Sequence, residues 1–401
     1  MKRSSKPLDS VLIKPAGPDC NLGCKYCFYL EKSGLYPDTN THRMSDEVLE
    51  ELIRQTMEQS GQNISFGWQG GEPTLMGLDF FRKVIHYEQV YGNRKVVGNG
   101  LQTNGLLLDE EWADFLKQYD FLVGLSLDGP QHIHDQYRLT QNEKPSWEDV
   151  MQSARMLLKR DVAVNVLCCV TSYSANYARE LYEFYKELGV TWMQFIPVVE
   201  TDKENPRKAA DFSVTAEQYG RFLIEIFDLW VNDFQNGQPT TNVRFIDSIF
   251  HIYVGVPAPE CTLRKECGVY VTVEHNGDIY SCDFFVEPKW KLGNLMNGQL
   301  IDMLNSPKQN RFGQLKSQLP RKCRTCQWYP HCFGGCTKDR IKDPCDSGMP
   351  RFCKSTIMFM EHAHPVFAEL ARQWKEQQKD IQKGSVPGSS YNAFEDFMGK
   401  R

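Results

Sequence analysis

Apolar and polar positions follow two patterns along the first 235 residues. Short apolar runs predict strands, and apolar residues that recur every three or four positions predict amphipathic helices between those strands. Strand and helix alternate throughout this part of the chain. The six predicted strands are Ser10–Lys14, Asn63–Trp68, Lys95–Leu101, Phe121–Leu127, Val162–Val170 and Thr191–Pro197.

Signals for helix boundaries support this order. Ser45 and Ser146 can cap the helices that follow them, and Gly189 can end another helix. A further helix is predicted over Thr215–Phe234. Because each parallel crossover needs a helix, strict alternation predicts a parallel sheet with helices outside it. A complete eightfold barrel takes about 250 residues, so six units predict an α/β fold with a partial (β/α)6 barrel.

The pattern changes at residue 236, where the alternation stops and cysteines become dense. A β-hairpin is predicted from Val269 to Phe285, since Asn276-Gly277 suits a type I′ turn. The remaining residues up to Phe352 show little helical or strand periodicity, and we expect that bound metal stabilises this part of the fold. Residues 366–380 predict a helix, and residues 384–390 predict a linker. The predicted domains are therefore 1–235, 236–365 and 366–401.

Composition narrows the function classes. The net charge of the 401 residues is −5, and the sequence contains no run of basic residues of the kind that binds a phosphate backbone. Nucleic acid is therefore not an expected partner. No apolar stretch predicts a membrane span, and the basic N-terminus lacks the apolar run of a signal peptide. Fourteen cysteines in a long chain without an export signal favour metal or redox chemistry in the cytoplasm.

Three cysteines follow the first predicted strand with the spacing C-x3-C-x2-C: Cys20, Cys24 and Cys27. Iron–sulfur clusters normally take four cysteines, so three ligands on a four-iron cluster leave one iron open to a ligand that is not protein. The alternative is three unrelated buried thiols. Gly70-Gly71-Glu72 follows the second predicted strand, where the glycines let the backbone approach a charged ligand and Glu72 offers a carboxylate to an ammonium group. Alone, this motif is also an ordinary turn.

Eight further cysteines form a second group between residues 261 and 353. Their number suits two clusters with four ligands each, which leave no open iron and favour electron transfer. Cys-x2-Cys is also a zinc spacing, so a zinc site stays an alternative. Cys345 is a rival to Cys353 for the eighth position. The eight cysteines are Cys261, Cys267, Cys282, Cys323, Cys326, Cys332, Cys336 and Cys353.

These motifs resemble those of a known family. Cys20–Tyr29 resembles the cluster motif of radical S-adenosylmethionine (SAM) enzymes, and the later cysteines resemble the twin-cluster SPASM domain. Nearly the whole chain is similar to the anaerobic sulfatase-maturating enzymes. The further matching stretches are Trp68–Leu75, Leu125–Gly129, Tyr280–Phe284 and Cys332–Arg340.

The resemblance implies three [4Fe–4S] clusters and SAM as cofactors. It implies that Cys20, Cys24 and Cys27 hold the cluster whose open iron binds SAM. It assigns Cys261, Cys267, Cys282 and Cys336 to one auxiliary cluster, and Cys323, Cys326, Cys332 and Cys353 to the other. The residues that it implies lie against SAM are Tyr26, Gly71, Ser126, Arg138 and Val199.

The resemblance also implies a reaction. A 5′-deoxyadenosyl radical takes hydrogen from Cβ of a cysteine or serine in a sulfatase, and Asp283 removes the side-chain proton as general base. Without the resemblance, the sequence favours the interpretation of Asp283 as a turn carboxylate that accepts backbone hydrogen bonds. Tyr29 is expected to orient Asp283. The product is Cα-formylglycine, within a Cys/Ser-x-Pro-x-Arg motif, and the implied partners are the sulfatase polypeptide and an electron donor such as flavodoxin or ferredoxin.

Other hypotheses stay open at this point. The nearest is another SPASM enzyme that forms thioether crosslinks or matures a quinone cofactor. A non-catalytic iron–sulfur electron carrier would not need Gly70-Gly71-Glu72, and a zinc-bound interaction protein would contain little iron.

Overall fold

The computed structural model describes residues 5–205, 207–235, 237–341 and 348–382. The six strands predicted for the first 235 residues are confirmed, with ends that differ by at most two residues. The strands are β1 (Ser10–Lys14), β2 (Asn63–Trp68), β3 (Val96–Thr103), β4 (Leu122–Ser126), β5 (Ala163–Val170), β6 (Trp192–Pro197), β7 (Asn242–Val243), β8 (Val271–Glu274), β9 (Asp278–Tyr280) and β10 (Lys291–Asn294).

Helices separate the strands, as predicted. Those up to β7 are α1 (Asp46–Gln59), α2 (Leu78–Tyr91), α3 (Glu110–Gln118), α4 (Gln131–His134), α5 (Trp147–Lys159), α6 (Ala178–Leu188) and α7 (Ala216–Asn232). Those after β7 are α8 (Arg244–Val254), α9 (Leu300–Leu304), α10 (Pro307–Leu315), α11 (Arg321–Arg324), α12 (Tyr329–Cys332), α13 (Thr337–Ile341) and α14 (Cys353–Gln382).

Two of the predicted helix boundaries are confirmed, and the third has a different cause. The Ser45 hydroxyl accepts a hydrogen bond from the Val48 amide at 3.4 Å, and Gly189 ends α6 with a φ of 88°. Ser146 precedes α5, but its hydroxyl donates to the Arg138 carbonyl at 2.7 Å and does not cap the helix. The Asp135 carboxylate accepts hydrogen bonds from the backbone amides of Ser146 and Trp147, each at 3.0 Å. Asp135 therefore caps the N-terminus of α5 in place of Ser146.

The chain divides into two compact units. Among the described residues, the first unit comprises the chain up to Leu127, His134–Val164 and Glu266–Leu315. The second unit comprises Asp128–Ile133, Asn165–Lys265 and the chain from Lys316 onward. The predicted domain boundaries follow changes in sequence pattern, whereas these units follow contacts.

In the first unit, β1 to β4 are parallel neighbours, in the order β1-β2-β3-β4. The predicted hairpin is confirmed as β8 and β9, which are antiparallel, and β10 follows on the far side of β9. The change in sequence pattern at residue 236 predicts this hairpin in the second domain, but β8 pairs in parallel with β1, with Val11 opposite Val271. The hairpin therefore extends the sheet at the edge next to the cysteine loop.

In the second unit, β5, β6 and β7 are parallel in that order. The prediction that strand–helix alternation stops at residue 236 is wrong, since β7 and α8 continue it. The two residues of β7 are too few to give an alternating pattern. The predicted helix over residues 366–380 is confirmed as part of α14, which packs on α7 and α8.

The α/β class with parallel strands and helical crossovers is confirmed. Among the described residues, no helix has the length and apolar character needed to cross a membrane. The predicted linker at residues 384–390 and Cys345 lie outside the described residues.

Helix α2 in the first unit carries a buried carboxyl group. The Glu88 side chain, 8% exposed, accepts hydrogen bonds from the Asn99 amide at 3.0 Å, and the Trp68 indole donates to Asn99 at 2.8 Å. Burial raises the pKa of Glu88 to about 7, from an ordinary value of 4.5. Folding therefore favours the protonated form of this group.

Stability is expected to fall as pH rises from 4.5 to 7, because the native state holds the Glu88 proton more tightly than the unfolded chain does. The loss is about 3 kcal/mol, from the size of the pKa difference. Glu88→Gln should remove this part of the pH dependence. Anaerobic denaturant unfolding at pH 5 and pH 8 measures it. Glu148→Gln, at an exposed position of α5, is the control and should keep the wild-type dependence.

Candidate active site

The cysteine loop begins after β1, at the carboxyl end of the parallel strands. The Cys20 sulfur accepts hydrogen bonds from the Leu22 amide at 3.4 Å and from the Asn104 side chain at 3.7 Å. Burial, with the nearby Glu72 carboxylate, raises the pKa of Cys20 to about 12. Since a coordinating thiol is deprotonated outright, metal binding would give the thiolate that this setting otherwise disfavours. N–H donors aimed at a buried sulfur suit a cluster ligand.

At Gly71 the backbone of the loop after β2 packs closely against the cysteine loop. A Cβ at Gly71 would lie 1.9 Å from the Asp19 carbonyl oxygen, so no larger residue fits there. The Gly71 amide donates to the Gly17 carbonyl at 2.8 Å, and the Glu72 amide donates to the Asp19 carbonyl at 2.7 Å. The two motifs therefore meet at one edge of the sheet, as the strand order predicts.

The Glu72 carboxylate joins neighbouring segments of the backbone through hydrogen bonds. It is 1% exposed and accepts hydrogen bonds from Thr74 (amide and hydroxyl), the Thr103 hydroxyl and the Asn104 amide, at 2.7–3.0 Å. These donors tie the loop after β2 to the end of β3. The Asn104 side chain then reaches the Cys20 sulfur. No sequence motif indicates this residue, although it follows β3 at the same edge.

Tyr26 and Arg138 lie together beside the cysteine loop. The Arg138 guanidinium carbon is 5.5 Å from the centre of the Tyr26 ring, and one of its nitrogens is 4.0 Å from the Cys24 sulfur. Both side chains are buried. An aromatic ring and a guanidinium next to the loop offer stacking and charge to a ligand.

The resemblance also assigns Ser126 and Val199 to SAM. Ser126 is buried at the end of β4 in the first unit. Val199 belongs to the second unit, is fully buried, and its carbonyl accepts a hydrogen bond from Lys338 at 2.9 Å. Their relation to SAM stays a prediction.

Asp283 directly follows Cys282 in the first unit and is 9% exposed. The Tyr270 hydroxyl donates to its carboxylate at 2.9 Å, and the Cys282 sulfur lies 3.2 Å from the same oxygen. The partner of Asp283 is therefore Tyr270, and not Tyr29 as expected. Tyr29 instead donates to Glu274, a fully buried carboxylate on β8 that needs a donor of its own.

Cys267 and Cys282 pack against one apolar cluster in the first unit, formed by Phe285, Trp290 and Phe312. Gly313 holds the chain at this point, because a Cβ there would lie 2.6 Å from the Cys267 carbonyl. The two thiols therefore share one apolar surrounding.

Cys261 belongs to the second unit, where a buried lysine fixes its backbone. The Lys316 side chain is fully buried, and its ammonium group donates to the carbonyls of Cys261 and Thr262, each at 2.7 Å. A buried ammonium needs such acceptors. Lys316 therefore holds the segment that presents Cys261.

A cavity of about 260 Å³ lies in the second unit. Four of the residues that line it, Cys323, Cys326, Cys332 and Cys353, form one predicted auxiliary set. Cys336, which the resemblance assigns to the other set, lines the cavity too. A cavity that is lined by cysteine thiols and is large enough for more than a single ion fits an iron–sulfur cluster.

Comparison with known proteins agrees with this chemistry. Residues 15–185 match the radical SAM superfamily, and residues 265–327 match the iron–sulfur cluster-binding domain called SPASM. The serine-type anaerobic sulfatase-maturating enzyme of Bacteroides thetaiotaomicron is 37% identical, over 96% of this chain and 97% of its own. The cysteine-type enzyme of Clostridium perfringens is 35% identical, over 91% and 99%. This chain belongs to the anaerobic sulfatase-maturating enzyme family.

Solved structures agree with this membership. Native anSMEcpe with bound AdoMet and the Cp18Cys peptide is 34% identical, with a TM-score of 0.82 over 91% of this chain and 99% of that one. SuiB of Streptococcus suis bound to S-adenosylmethionine, at 16% identity and a TM-score of 0.57, shares the fold alone. The radical SAM domain followed by a SPASM domain confirms the predicted fold class.

Family membership makes this chain a radical SAM enzyme, with [4Fe–4S] clusters and SAM as its cofactors. The hypotheses of a zinc-bound interaction protein and of a simple electron carrier are thereby not favoured. Neither is the alternative of a SPASM enzyme that forms crosslinks or matures a quinone.

Proposed function

We propose that this sulfatase-maturating enzyme oxidises a cysteine or serine side chain of a sulfatase polypeptide to Cα-formylglycine. The observation that carries the proposal is the buried Asp283 carboxylate, held by Tyr270 directly after Cys282. Tyr270 and the Cys282 sulfur contact the same carboxylate oxygen. Because a carboxylate has about four lone-pair sites, lone pairs are left to accept a substrate proton. The relatives named above, serine-type and cysteine-type, support both substrates.

Three [4Fe–4S] clusters and SAM fit the residues present. Cys20, Cys24 and Cys27 would hold the first cluster and leave one iron open to SAM, beside the Tyr26 ring and the Arg138 guanidinium. When bound, these cofactors supply the one-electron transfers and the removal of a hydrogen atom from Cβ of the substrate. Gly71, Ser126 and Val199 would complete the contacts with SAM.

Eight cysteines would hold the two auxiliary clusters. The set of Cys323, Cys326, Cys332 and Cys353 is supported by the cavity that all four line. The other set is Cys261, Cys267, Cys282 and Cys336. Its support is the apolar surrounding shared by Cys267 and Cys282, together with the backbone of Cys261 that Lys316 holds.

Asp283 would take the proton that the substrate side chain must lose. A thiol has a pKa near 8.5 and is mostly protonated at neutral pH, so a base is needed. In total the side chain gives up one hydrogen atom from Cβ, one proton from sulfur or oxygen, and one electron. Serine thus yields the aldehyde directly, and cysteine yields a thioaldehyde that water converts to the aldehyde with release of hydrogen sulfide.

The remaining assignments follow from the same proposal. The substrate polypeptide would carry Cys or Ser followed by Pro and Arg, as in Cys/Ser-x-Pro-x-Arg. The starting electron would come from a small carrier protein such as flavodoxin or ferredoxin. Cysteines that ligate clusters must stay reduced, and the cytoplasm keeps thiols reduced, so the enzyme would act in the cytoplasm. Residues 1–235 would form the radical SAM part, 236–365 the SPASM part and 366–401 the C-terminal part.

The test is anaerobic incubation of the protein with SAM, dithionite and a peptide that contains Cys-x-Pro-x-Arg or Ser-x-Pro-x-Arg. Oxidation to formylglycine lowers the peptide mass by about 18 Da for cysteine and about 2 Da for serine. An aldehyde-trapping hydrazine confirms the product. If 5′-deoxyadenosine forms while both peptides keep their mass, this proposed function is wrong.

Tyr270→Phe should slow aldehyde formation roughly tenfold, because it removes the hydrogen bond that fixes the Asp283 carboxylate. The ratio of aldehyde to 5′-deoxyadenosine measures the effect, since SAM cleavage does not depend on this carboxylate. Tyr87→Phe on α2 is the matched control and should leave the ratio unchanged. A wild-type ratio in Tyr270→Phe would contradict the positioning role of Tyr270.

A further inference from the structure

The short helix α11 carries a cluster of positive charge around a buried cysteine. Arg321, Lys322 and Arg324 are exposed, and Cys323 between them is buried. Among the residues that the structure describes, none of these three side chains has an ion-pair or hydrogen-bond partner. We call the three residues the α11 patch. Its charge is therefore directed to solvent.

The charge of this region is opposite to that of the whole chain. Residues 316–340 contain six basic residues and one acidic residue, while the chain has a net charge of −5. The other cysteine groups differ from this one. Cys20–Cys27 contains a single charged residue, Lys25, and Cys261–Cys267 has Glu260, Arg264, Lys265 and Glu266 in and beside it, with balanced charge.

The α11 patch also borders the cavity of the second unit. Lys322 and Arg351 line that cavity, and Asp339 is the one carboxylate among its described lining residues. Cys326, Cys332 and Cys353 are partly exposed. A redox group held by these thiols would therefore lie near the surface, beside a positive patch.

We propose that the α11 patch is the docking surface for an acidic one-electron carrier protein, which exchanges electrons with the cluster held in the adjacent cavity. This inference rests on the proposed function, which needs one electron to begin. In the exchange the carrier is oxidised by one electron and the enzyme is reduced by one electron, and no covalent bond changes. Complementary charge speeds such encounters, and electron-transfer interfaces are typically small and transient.

The experiment uses the full-length protein, loaded with its clusters, and reduced flavodoxin as the acidic carrier. Arg321→Gln/Arg324→Gln and Arg321→Glu/Arg324→Glu remove and reverse charge without touching a residue that lines the cavity. Arg155→Gln/Lys159→Gln, two exposed basic residues on α5, is the matched control. The initial rate of 5′-deoxyadenosine formation is measured with flavodoxin and, separately, with dithionite. Titration calorimetry at low salt measures the binding of flavodoxin, which both pairs should weaken and the control should leave unchanged.

With flavodoxin at low salt, the Gln pair should lower the rate about tenfold and the Glu pair further, because steering by charge contributes factors of about 10 to 1,000. The control should keep the wild-type rate. With dithionite, all variants should match the wild type, which separates docking from catalysis. If the wild-type protein forms no aldehyde from the substrate peptide with dithionite, the proposed function itself has failed.

A salt series gives a second, independent readout on unaltered protein. The flavodoxin-supported rate of the wild type should fall steeply as sodium chloride rises, and the Gln pair should show a weaker dependence. The inference is overturned if both pairs accept electrons from flavodoxin as fast as the wild type does. It is overturned equally if the wild-type rate is independent of salt.

Discussion

Asp283→Asn is expected to stop aldehyde formation while the enzyme continues to split SAM. Asparagine keeps the shape of the side chain and can still accept the hydrogen bond from Tyr270, but it cannot take a proton from the substrate. General-base catalysis contributes about 100- to 10,000-fold, so aldehyde should fall by at least about 100-fold. Mass spectrometry of the peptide and chromatography of 5′-deoxyadenosine give the two yields separately.

Glu287→Gln provides the control for this experiment. Glu287 is a carboxylate four residues further along the same segment, next to Lys32 at the surface, and it has no place in the proposed chemistry. We expect wild-type yields of both products from it. If Asp283→Asn forms aldehyde at the normal rate, the assignment of Asp283 as the base is wrong.

The second large effect concerns the cysteine loop. Replacing Cys20, Cys24 and Cys27 together with alanine should abolish formation of 5′-deoxyadenosine with any reductant. The protein should lose about four of its twelve iron atoms, since three thiolates hold the cluster that binds SAM. Iron analysis and chromatography after anaerobic incubation measure both losses. The auxiliary clusters should remain visible by their absorbance.

Cys169→Ala is the matched control for the loop variant. Cys169 lies in β5 and is assigned to no cluster, so its loss should change neither iron content nor SAM cleavage. SAM cleavage by the loop variant would show that the cluster responsible is held elsewhere.

The sequence predicts the first six strands to within two residues at each end, because each contains a short apolar or alternating run between turn or helix signals. The same rule places Cys20 and Gly71 together, since β1 and β2 are parallel neighbours and both motifs follow their strands. Asn104 follows β3 at the same edge and could have been found in the same way.

Other features of the site depend on pairing between distant segments. Nothing local indicates that β8 pairs with β1, about 260 residues earlier in the chain, so the sequence places the hairpin in a separate domain. Tyr270 is separated from Asp283 by β8, a turn and β9, and no periodic pattern shows which phenol reaches the carboxylate. The expected partner Tyr29 is instead used by Glu274, whose burial the sequence does not reveal.

Cysteine spacing has a similar limit. The resemblance to the SPASM domain, and not the spacing, assigns Cys323, Cys326, Cys332 and Cys353 to one set, and the structure brings all four to one cavity. The spacing does not show that Cys336 lines that cavity as well, because the turn at Phe333–Gly335, with a positive φ at each residue, determines its position. Division of the eight thiols between two clusters thus depends on the folded chain.

The most direct test of the account is a single anaerobic measurement of iron content and SAM consumption on the purified protein. We expect about twelve iron atoms per chain and, after reduction, conversion of SAM to methionine and 5′-deoxyadenosine. Protein that contains only zinc, or that contains the iron but leaves SAM intact after reduction, would contradict the claim that three cysteines leave one iron open to SAM.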